Sequence, residues 1–528
     1  MFCKSNQSDR NTTDATGARL RYRIATHIAV AIWLGLSIQT AVCGQVQHEG
    51  SVPNIVLILA DDMGYGDVRA MNAESTVPTP SLDRLAADGM TFTDAHSPSA
   101  VCTPTRYGLL TGRYCWRSTL KRGVLGGYSP PLIDPERMTV GKLLQDAGYH
   151  TAAVGKWHLG MDMPERSGTK VEIDRREGDG NVDFAGTIKH GPTTRGFDHY
   201  FGISASLDMA PYVWIEDDRF TMVPDKQQPA QRFPGFISRG PRSSDFMIDE
   251  VLDRIADQAS GYIRERASSG QPFFLYLPLT APHKPVTPHE RFAGTTELGP
   301  YADFIAQVDN TVGRVLKSVD DAGARENTLV IFTSDNGSFM RRLETTDARD
   351  HADDESIQAY RADRHRPNAM FRGTKADVWE AGHRVPFFAR WPGVIESGSR
   401  CERTITHTDF FATAAEMIGS PLEDNMAEDS FSWLPLFRQD ESAPSRAPII
   451  NHSIDGMFAI RDGQWKLVLG NGSGGRQQPK GKPFEQPYQL FDLTVDPGES
   501  LNVAANHPEI VEAMTKRFHQ IQNAGRSR

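Results

Sequence analysis

Cysteine is scarce in this chain, with 5 in 528 residues, too few for a disulfide scaffold to carry a fold of this length. Long apolar runs are missing too: the run near the N-terminus, Ile28 to Ile38, has 11 residues, short of the ~20 that a membrane-spanning helix needs. Nor is there an excess of positive charge. Lys and Arg number 57 against 67 Asp and Glu, and the resulting −10 excludes a broad electrostatic footprint for DNA, RNA or anionic lipid. No Cys or His cluster has zinc spacing, and no internal repeat is evident. What is present is ordinary globular composition, 39% hydrophobic, 23% charged and 9% aromatic. At ~150 residues per domain the length leaves room for about two to four domains and a large core.

Arg19, Arg21 and Arg23 precede the Ile28 to Ile38 run, and the small residues Ala41-Val42-Cys43-Gly44 follow it. This is the layout of a signal peptide, so residues 1–44 are read as an export signal with a long charged region, an uncleaved anchor being the alternative. Thr40-Ala41-Val42 is a poor lipobox for Cys43. The segment carries five basic and two acidic side chains, so the remainder stands at −13 and keeps only Cys102, Cys115 and Cys401. The expected location is periplasmic or secreted, or lysosomal in a eukaryote, with no stable membrane span and no nucleic-acid partner.

Asn54 to Ala60 is a continuous apolar run rich in β-branched residues, as a strand covered on both faces of a parallel sheet should be. It stops at Asp61-Asp62. Three further runs behave alike: Thr151 to Val154 stops at Gly155-Lys156, Phe273 to Leu279 stops shortly before His283, and Leu329 to Thr333 stops at Ser334-Asp335-Asn336. Helical patterns lie between them, over Thr139 to Ala147 and over Tyr301 to Asp321, where Ile305, Val308, Val312, Val315 and Leu316 share a face. The alternation predicts an α/β domain with a large mixed, mostly parallel sheet sandwiched by helices over residues 45–424. Such sheets bind ligands at the carboxyl ends of their strands, where the four polar clusters sit. After a further helix at Thr408 to Ile418, Pro- and Gly-rich loops with short strands at Met457 to Arg461 and Trp465 to Leu469 predict a smaller α+β subdomain over 425–528. The charge-dense stretches 161–195 and 340–370 follow active clusters and are candidate cleft walls.

Asp61, Asp62, Asp335 and Asn336 offer four hard oxygen ligands, a donor set that favours Ca²⁺, with Mg²⁺ the alternative, over softer metals. Between these pairs stands Cys102-Thr103-Pro104-Thr105-Arg106, extended by Tyr107-Gly108-Leu109-Leu110-Thr111-Gly112-Arg113. The motif resembles the signature of the sulfatase family, in which the cysteine of Cys-x-Pro-x-Arg is oxidised to Cα-formylglycine before the chain folds. The resemblance extends through Asp61-Asp62-Met63-Gly64-Tyr65-Gly66-Asp67, Gly155-Lys156-Trp157-His158-Leu159-Gly160, Pro282-His283-Lys284-Pro285, Thr333-Ser334-Asp335-Asn336-Gly337 and Gly373-Thr374-Lys375. Thr374 departs from a position where the family most often has glycine. The pattern is nearest the arylsulfatase A and N-acetylgalactosamine-6-sulfatase group, and it implies an alkaline phosphatase-like fold.

Carried over residue by residue, the resemblance implies a metal on Asp61, Asp62, Asp335, Asn336 and the modified Cys102, with Arg106, Lys156, His158, His283 and Lys375 around formylglycine and sulfate. In the family mechanism one hydroxyl of the aldehyde hydrate attacks sulfur, the alcohol leaves, and proton loss from the second hydroxyl, toward His158, expels sulfate. His283, with Lys375 nearby, is the candidate proton donor to the leaving oxygen. Lys156, Lys375, Arg106 and the metal stabilise the sulfuryl oxygens. The expected activity is hydrolysis of sulfate from a sulfated sugar or polysaccharide, with a formylglycine-generating enzyme as maturation partner. The alternative is a formylglycine-dependent phosphodiesterase or phosphonate monoester hydrolase, whose substrates present the same single charge. Asp208, Tyr212 and Trp214 are candidate sugar contacts, with plain loop packing the equal alternative. Gly196 to Gly202 resembles a packing segment of the family, and Cys115 and Cys401 are either bridged or two buried thiols.

Overall fold

A computed structural model of the chain describes residues 52–172, 178–231, 236–343, 359–361 and 363–528. The expected export signal lies outside the described residues, as does much of the 340–370 stretch. Ten strands form one sheet: β1 (Asn54–Asp61), β2 (Met90–Phe92), β3 (His150–Lys156), β4 (His199–Ile203), β5 (Ile215–Glu216), β6 (Arg219–Phe220), β7 (Phe273–Pro282), β8 (Thr328–Ser334), β9 (Phe387–Arg390) and β10 (Ser399–Cys401). Their spatial order is β10-β2-β9-β8-β1-β7-β3-β4-β5-β6. The central five, β8-β1-β7-β3-β4, are parallel. Antiparallel strands join on both sides, β9 against β8 and β5 against β4, so the sheet is mixed, as expected.

Every residue of β1, β7 and β8 is buried, which requires cover on both faces. Helices α1 (Pro80–Asp88), α4 (Val251–Ser269) and α5 (Pro300–Asp321) pack together as one group, and α2 (Cys102–Thr111), α3 (Val140–Asp146) and α7 (Phe410–Met417) as another. In α5, Pro300 stands at the first helical position, where no N–H is needed, and the apolar face read from sequence is buried. In α3, Thr139 caps the helix by accepting a hydrogen bond from the Lys142 N–H. The expected helix at 408–418 is split, with a 3₁₀ turn at His407–Asp409 preceding α7, because the Asp409 carboxylate is held by Arg446 at 2.7 and 2.8 Å and by the Thr406 and Phe431 N–H groups.

Two short helices, α6 (Glu380–His383) and α8 (Leu434–Phe437), follow the central strands; Trp433, Leu434 and Phe437 join the main core. The C-terminal region then forms a four-stranded antiparallel sheet, β11 (Ile449–His452), β12 (Phe458–Asp462), β13 (Trp465–Val468) and β14 (Gln489–Asp492). Helix α9 (Pro508–Ala524) covers it through Met514, Phe518 and Ile521. Cys115 and Cys401 are separate buried thiols. Phe197 packs near Trp157, Phe274 and Tyr276, the structural role its segment suggested. Tyr212 and Trp214 do not line a sugar site. Both are buried: Trp214 stacks on Phe201 at 4.9 Å, and the Tyr212 hydroxyl donates to the Ser238 carbonyl at 2.8 Å.

Candidate active site

Parallel pairing brings the polar strand ends together. Ala60 lies opposite Ser334, so Asp61-Asp62 and Asp335-Asn336 emerge side by side from β1 and β8. Lys156 ends β3, and His283 follows β7 directly. Gly155 takes φ +130 against β7, where a side chain would meet the Pro278 carbonyl oxygen at 2.0 Å; only glycine lets Lys156 come this close. Asp62 and His158, neither a glycine, adopt φ 68 and 57. Such left-handed positions cost about 1–3 kcal/mol and gather where side chains must be aimed.

All the residues expected to carry chemistry are buried here except Lys375, which keeps 14% exposure. Cys102 is the first residue of α2, whose ten residues are all buried. Its sulfur lies within 4.8 Å of carboxylate oxygens of Asp61 and Asp335, and those oxygens lie equally close to one another. Arg106, one turn on, donates through Nε and Nη2 to Asp335 Oδ2 at 3.1 and 2.8 Å and through Nη1 to the Lys156 carbonyl at 2.8 Å. Lys156 Nζ reaches Asp61 at 2.6 Å and Ser206 Oγ at 3.1 Å. Lys375 Nζ lies 2.6 Å from Asp62 Oδ1, and the Asn336 amide donates to the same oxygen at 2.7 Å. Three carboxylates therefore face three cations, Arg106, Lys156 and Lys375.

Two oxygens in the cluster have no hydrogen-bond partner although buried, Asp61 Oδ1 and Asn336 Oδ1. Leaving such acceptors dry costs about 1–3 kcal/mol each, and a hard cation would satisfy both. Burial pushes the Asp61 carboxyl up to about 7, with Asp335 and Asp62 adding to the rise. Asp335 is held below its ordinary value against its own burial by Arg106, Lys156 and Lys375. The donor set fits Ca²⁺ or Mg²⁺.

Burial and the Lys156 and Arg106 charges hold His158 well below 6.5, so the ring is neutral. Its Nε2 donates to the Leu125 carbonyl at 2.8 Å, which leaves a lone pair on Nδ1, buried and unpartnered. Burial, then Lys375 and Lys156, likewise keep His283 neutral. Its Nδ1 donates to the Lys284 carbonyl and lies 3.3 Å from Ser206 Oγ, while Nε2 faces Asp62 Oδ2 at 3.7 Å. Burial raises the Cys102 thiol, so the unmodified side chain is a neutral, poor nucleophile.

Ser206 was not singled out from sequence, yet it joins Lys156 to His283. Its only signal was its place just after β4, in the position where neighbouring strands deliver polar residues. Asp208 is buried with one carboxylate oxygen unpartnered, and its charge acts on Lys284.

The family model described as Sulfatase matches residues 53–420. Among curated proteins, an N-acetylgalactosamine-6-O-sulfatase of Bacteroides thetaiotaomicron is 32% identical, covering 92% of this chain and 97% of that protein. Human arylsulfatase A is 30% identical over 88% and 86% of the two chains. A solved structure from glycosaminoglycan metabolism in Bacteroides thetaiotaomicron is 31% identical with a TM-score of 0.75, covering 89% of this chain and 99% of its own. The phosphonate monoester hydrolase of Agrobacterium radiobacter, 18% identical with a TM-score of 0.56 over 90% and 96%, shares the fold.

Proposed function

The chain belongs to the sulfatase family, and from that premise we propose that it removes sulfate from a sulfated saccharide, using formylglycine made from Cys102 and a divalent metal on Asp61, Asp62, Asp335 and Asn336. The observation that carries the reading is the meeting of Cys102 with Asp61 and Asp335 beside two orphaned oxygens. Together, the metal and the aldehyde hydrate supply an activated oxygen nucleophile and a second hydroxyl whose deprotonation releases sulfate.

The chain's own groups do the rest. Arg106 fixes Asp335 and thereby the wall beside residue 102. Lys156 and Lys375 present positive charge where the sulfuryl oxygens gain negative charge, in a site from which water is largely excluded. The free lone pair on His158 Nδ1 makes that atom the acceptor for the second hydroxyl's proton. His283 rests neutral with Nε2 open, so it takes up a proton with the anionic substrate and passes it to the leaving oxygen; Ser206 holds its ring.

A 6-sulfated N-acetylgalactosamine is the first substrate to try, since it is what the Bacteroides relative is named for. The test compares a nitrophenyl sulfate monoester with a phosphate diester bearing the same leaving group, on protein whose residue 102 has been identified by peptide mass. Faster turnover of the monoester by formylglycine-containing protein is expected. Preference for the diester, or full activity with an intact thiol, overturns the reading.

A further inference from the structure

A second buried cluster of ionisable groups, unused by this reaction, lies where α6 meets the C-terminal sheet. Asp94 and His96 belong to the segment between β2 and Cys102; Glu380, His383 and Arg384 come from α6 and its end. Arg461 and Lys466 reach in from β12 and β13, and Glu499 from beyond β14. With all three acids ionised, they balance the three cations only if both histidines are neutral.

One ring proton lies between the two histidines. Lys466 Nζ lies 3.0 Å from Glu380 Oε1, 2.8 Å from Glu499 Oε1 and 3.0 Å from His383 Nε2, an atom that the Val378 carbonyl also approaches at 3.1 Å. His96 Nδ1 and His383 Nδ1 face each other at 3.0 Å, so with both rings neutral one donates to the other. His96 Nε2 stands between an acceptor, Asp94 Oδ1 at 2.9 Å, and a donor, Arg461 Nη1 at 3.0 Å. Either direction of the bond between the rings therefore leaves each outer nitrogen with a partner. A further proton puts a second hydrogen between the rings or one against the Lys466 or Arg461 cation, and on either ring it leaves a positive charge uncompensated in a dry interior. The spacing of His96, Glu380 and His383 would also suit a metal, but the Lys466 and Arg461 cations already occupy those contacts.

Backbone hydrogen bonds join this cluster to the active site. The His383 carbonyl accepts from Ser97 N at 2.8 Å on the approach to Cys102, and the Gly382 carbonyl accepts from Gly337 N at 3.1 Å, next to Asn336. Ala381 N donates to Arg372 O at 2.9 Å in the loop that carries Lys375.

We infer that His96 and His383 are positioning residues for the reaction: while both rings are neutral they tie the C-terminal sheet to the segments bearing Cys102, Asn336 and Lys375, and a proton on either ring releases the tie. Burial holds both rings below the ordinary 6.5. Unfolded or opened rings take protons near 6.5 and folded ones do not, so the tie is complete above that pH. As pH falls below it, each ring costs tenfold in the closing equilibrium per unit. Of the other groups facing the pair, His407 is itself buried and neutral, Arg384 stays charged, and Asp94 and Glu380 are held ionised by the cations around them. Burial pushes Glu499 up to about 7, so it takes up its proton first in the folded protein and works in the opposite sense. Glu499→Gln removes that contribution.

The test is amide hydrogen exchange of the whole protein between pH 7.5 and 5, corrected for intrinsic rates, alongside kcat/KM on a sulfate monoester. In Glu499→Gln, amides of α6, β12 and β13 should lose protection by up to about a hundredfold per unit below pH 6.5, and by about tenfold where Glu499 opposes the histidines, while β1, β7 and β8 keep theirs. Added to Glu499→Gln, His96→Gln keeps a donor toward Asp94 but does not titrate, and should cut the exchange slope to about tenfold, with a correspondingly shallower acid limb in activity. Loss of protection in all these strands together, or an acid limb unchanged in His96→Gln, overturns the inference. The activity arm rests on the sulfatase reading, but the exchange arm does not: selective loss of protection in a protein inactive at every pH would support the tie and remove only that reading.

Discussion

Replacing Arg106 by Gln tests how the site holds its carboxylates. The guanidinium is fully buried, gives two bonds to Asp335 Oδ2 and one to the Lys156 carbonyl, and lies 3.8 Å from Asp61. Removing one partner of a buried pair costs about 3–5 kcal/mol. Two charge-assisted hydrogen bonds at about 1.5–3 kcal/mol each give about 3–6 kcal/mol, which overlaps that range. The variant also shifts the balance of three acids and three cations by one negative charge, which a divalent cation on the same carboxylates would offset. Urea unfolding followed by tryptophan fluorescence at pH 7.5 should therefore lose about 3–5 kcal/mol in EDTA and clearly less in excess Ca²⁺. A loss under ~1 kcal/mol, or equal losses with and without Ca²⁺, would refute the reasoning.

Four further outcomes are expected. Cys102→Ser should fold with an unchanged melting temperature and show no turnover of a sulfate monoester, because a serine ester has no second hydroxyl to expel sulfate. His283→Gln should lower kcat about 10²–10⁴-fold for a sugar sulfate and far less for a nitrophenyl sulfate, whose leaving group needs no proton; equal losses would remove His283 as the acid. EDTA should abolish activity and lower the melting temperature, and Ca²⁺ at a hundred times its Kd should restore about 2.7 kcal/mol of stability. Burial takes His452 down to about 4, so its contribution to stability is full above ~6.5 and falls by about 1.4 kcal/mol per pH unit below that. On unfolding between pH ~4 and ~6.5, His452→Gln should take up about one proton fewer than the wild type.

Much of the active site was legible because its residues sit where continuous apolar strands break off. Asp61, Lys156, His283 and Asp335 each follow such a run, and parallel pairing does the convergence. Ser206 was illegible because its role depends on β4 lying beside β3 and on the loop after β4, and nothing local marks a serine that bridges a lysine and a histidine. Tyr212 and Trp214 misled for the opposite reason. Aromatics near an acid look like a sugar platform until neighbours such as Phe201 and Phe246 are seen to cover them. The left-handed backbone at Asp62 and His158 had no glycine to announce it. The His96–His383 pair, 287 residues apart, belongs to no motif.

The depth of Cys102 has a consequence in time. A residue 2% exposed, at the head of a helix buried along its whole length, is out of reach of any modifying enzyme once α2 has docked. Under the formylglycine reading, two clocks start as the segment leaves the ribosome, one for oxidation of the thiol and one for closure of the sheet around it. Molecules in which closure comes first are stable and correctly folded, and no later encounter repairs them. The specific activity of a preparation then records the conditions of synthesis, and a slower-folding variant made beside a limiting supply of the modifying enzyme should contain the larger active fraction.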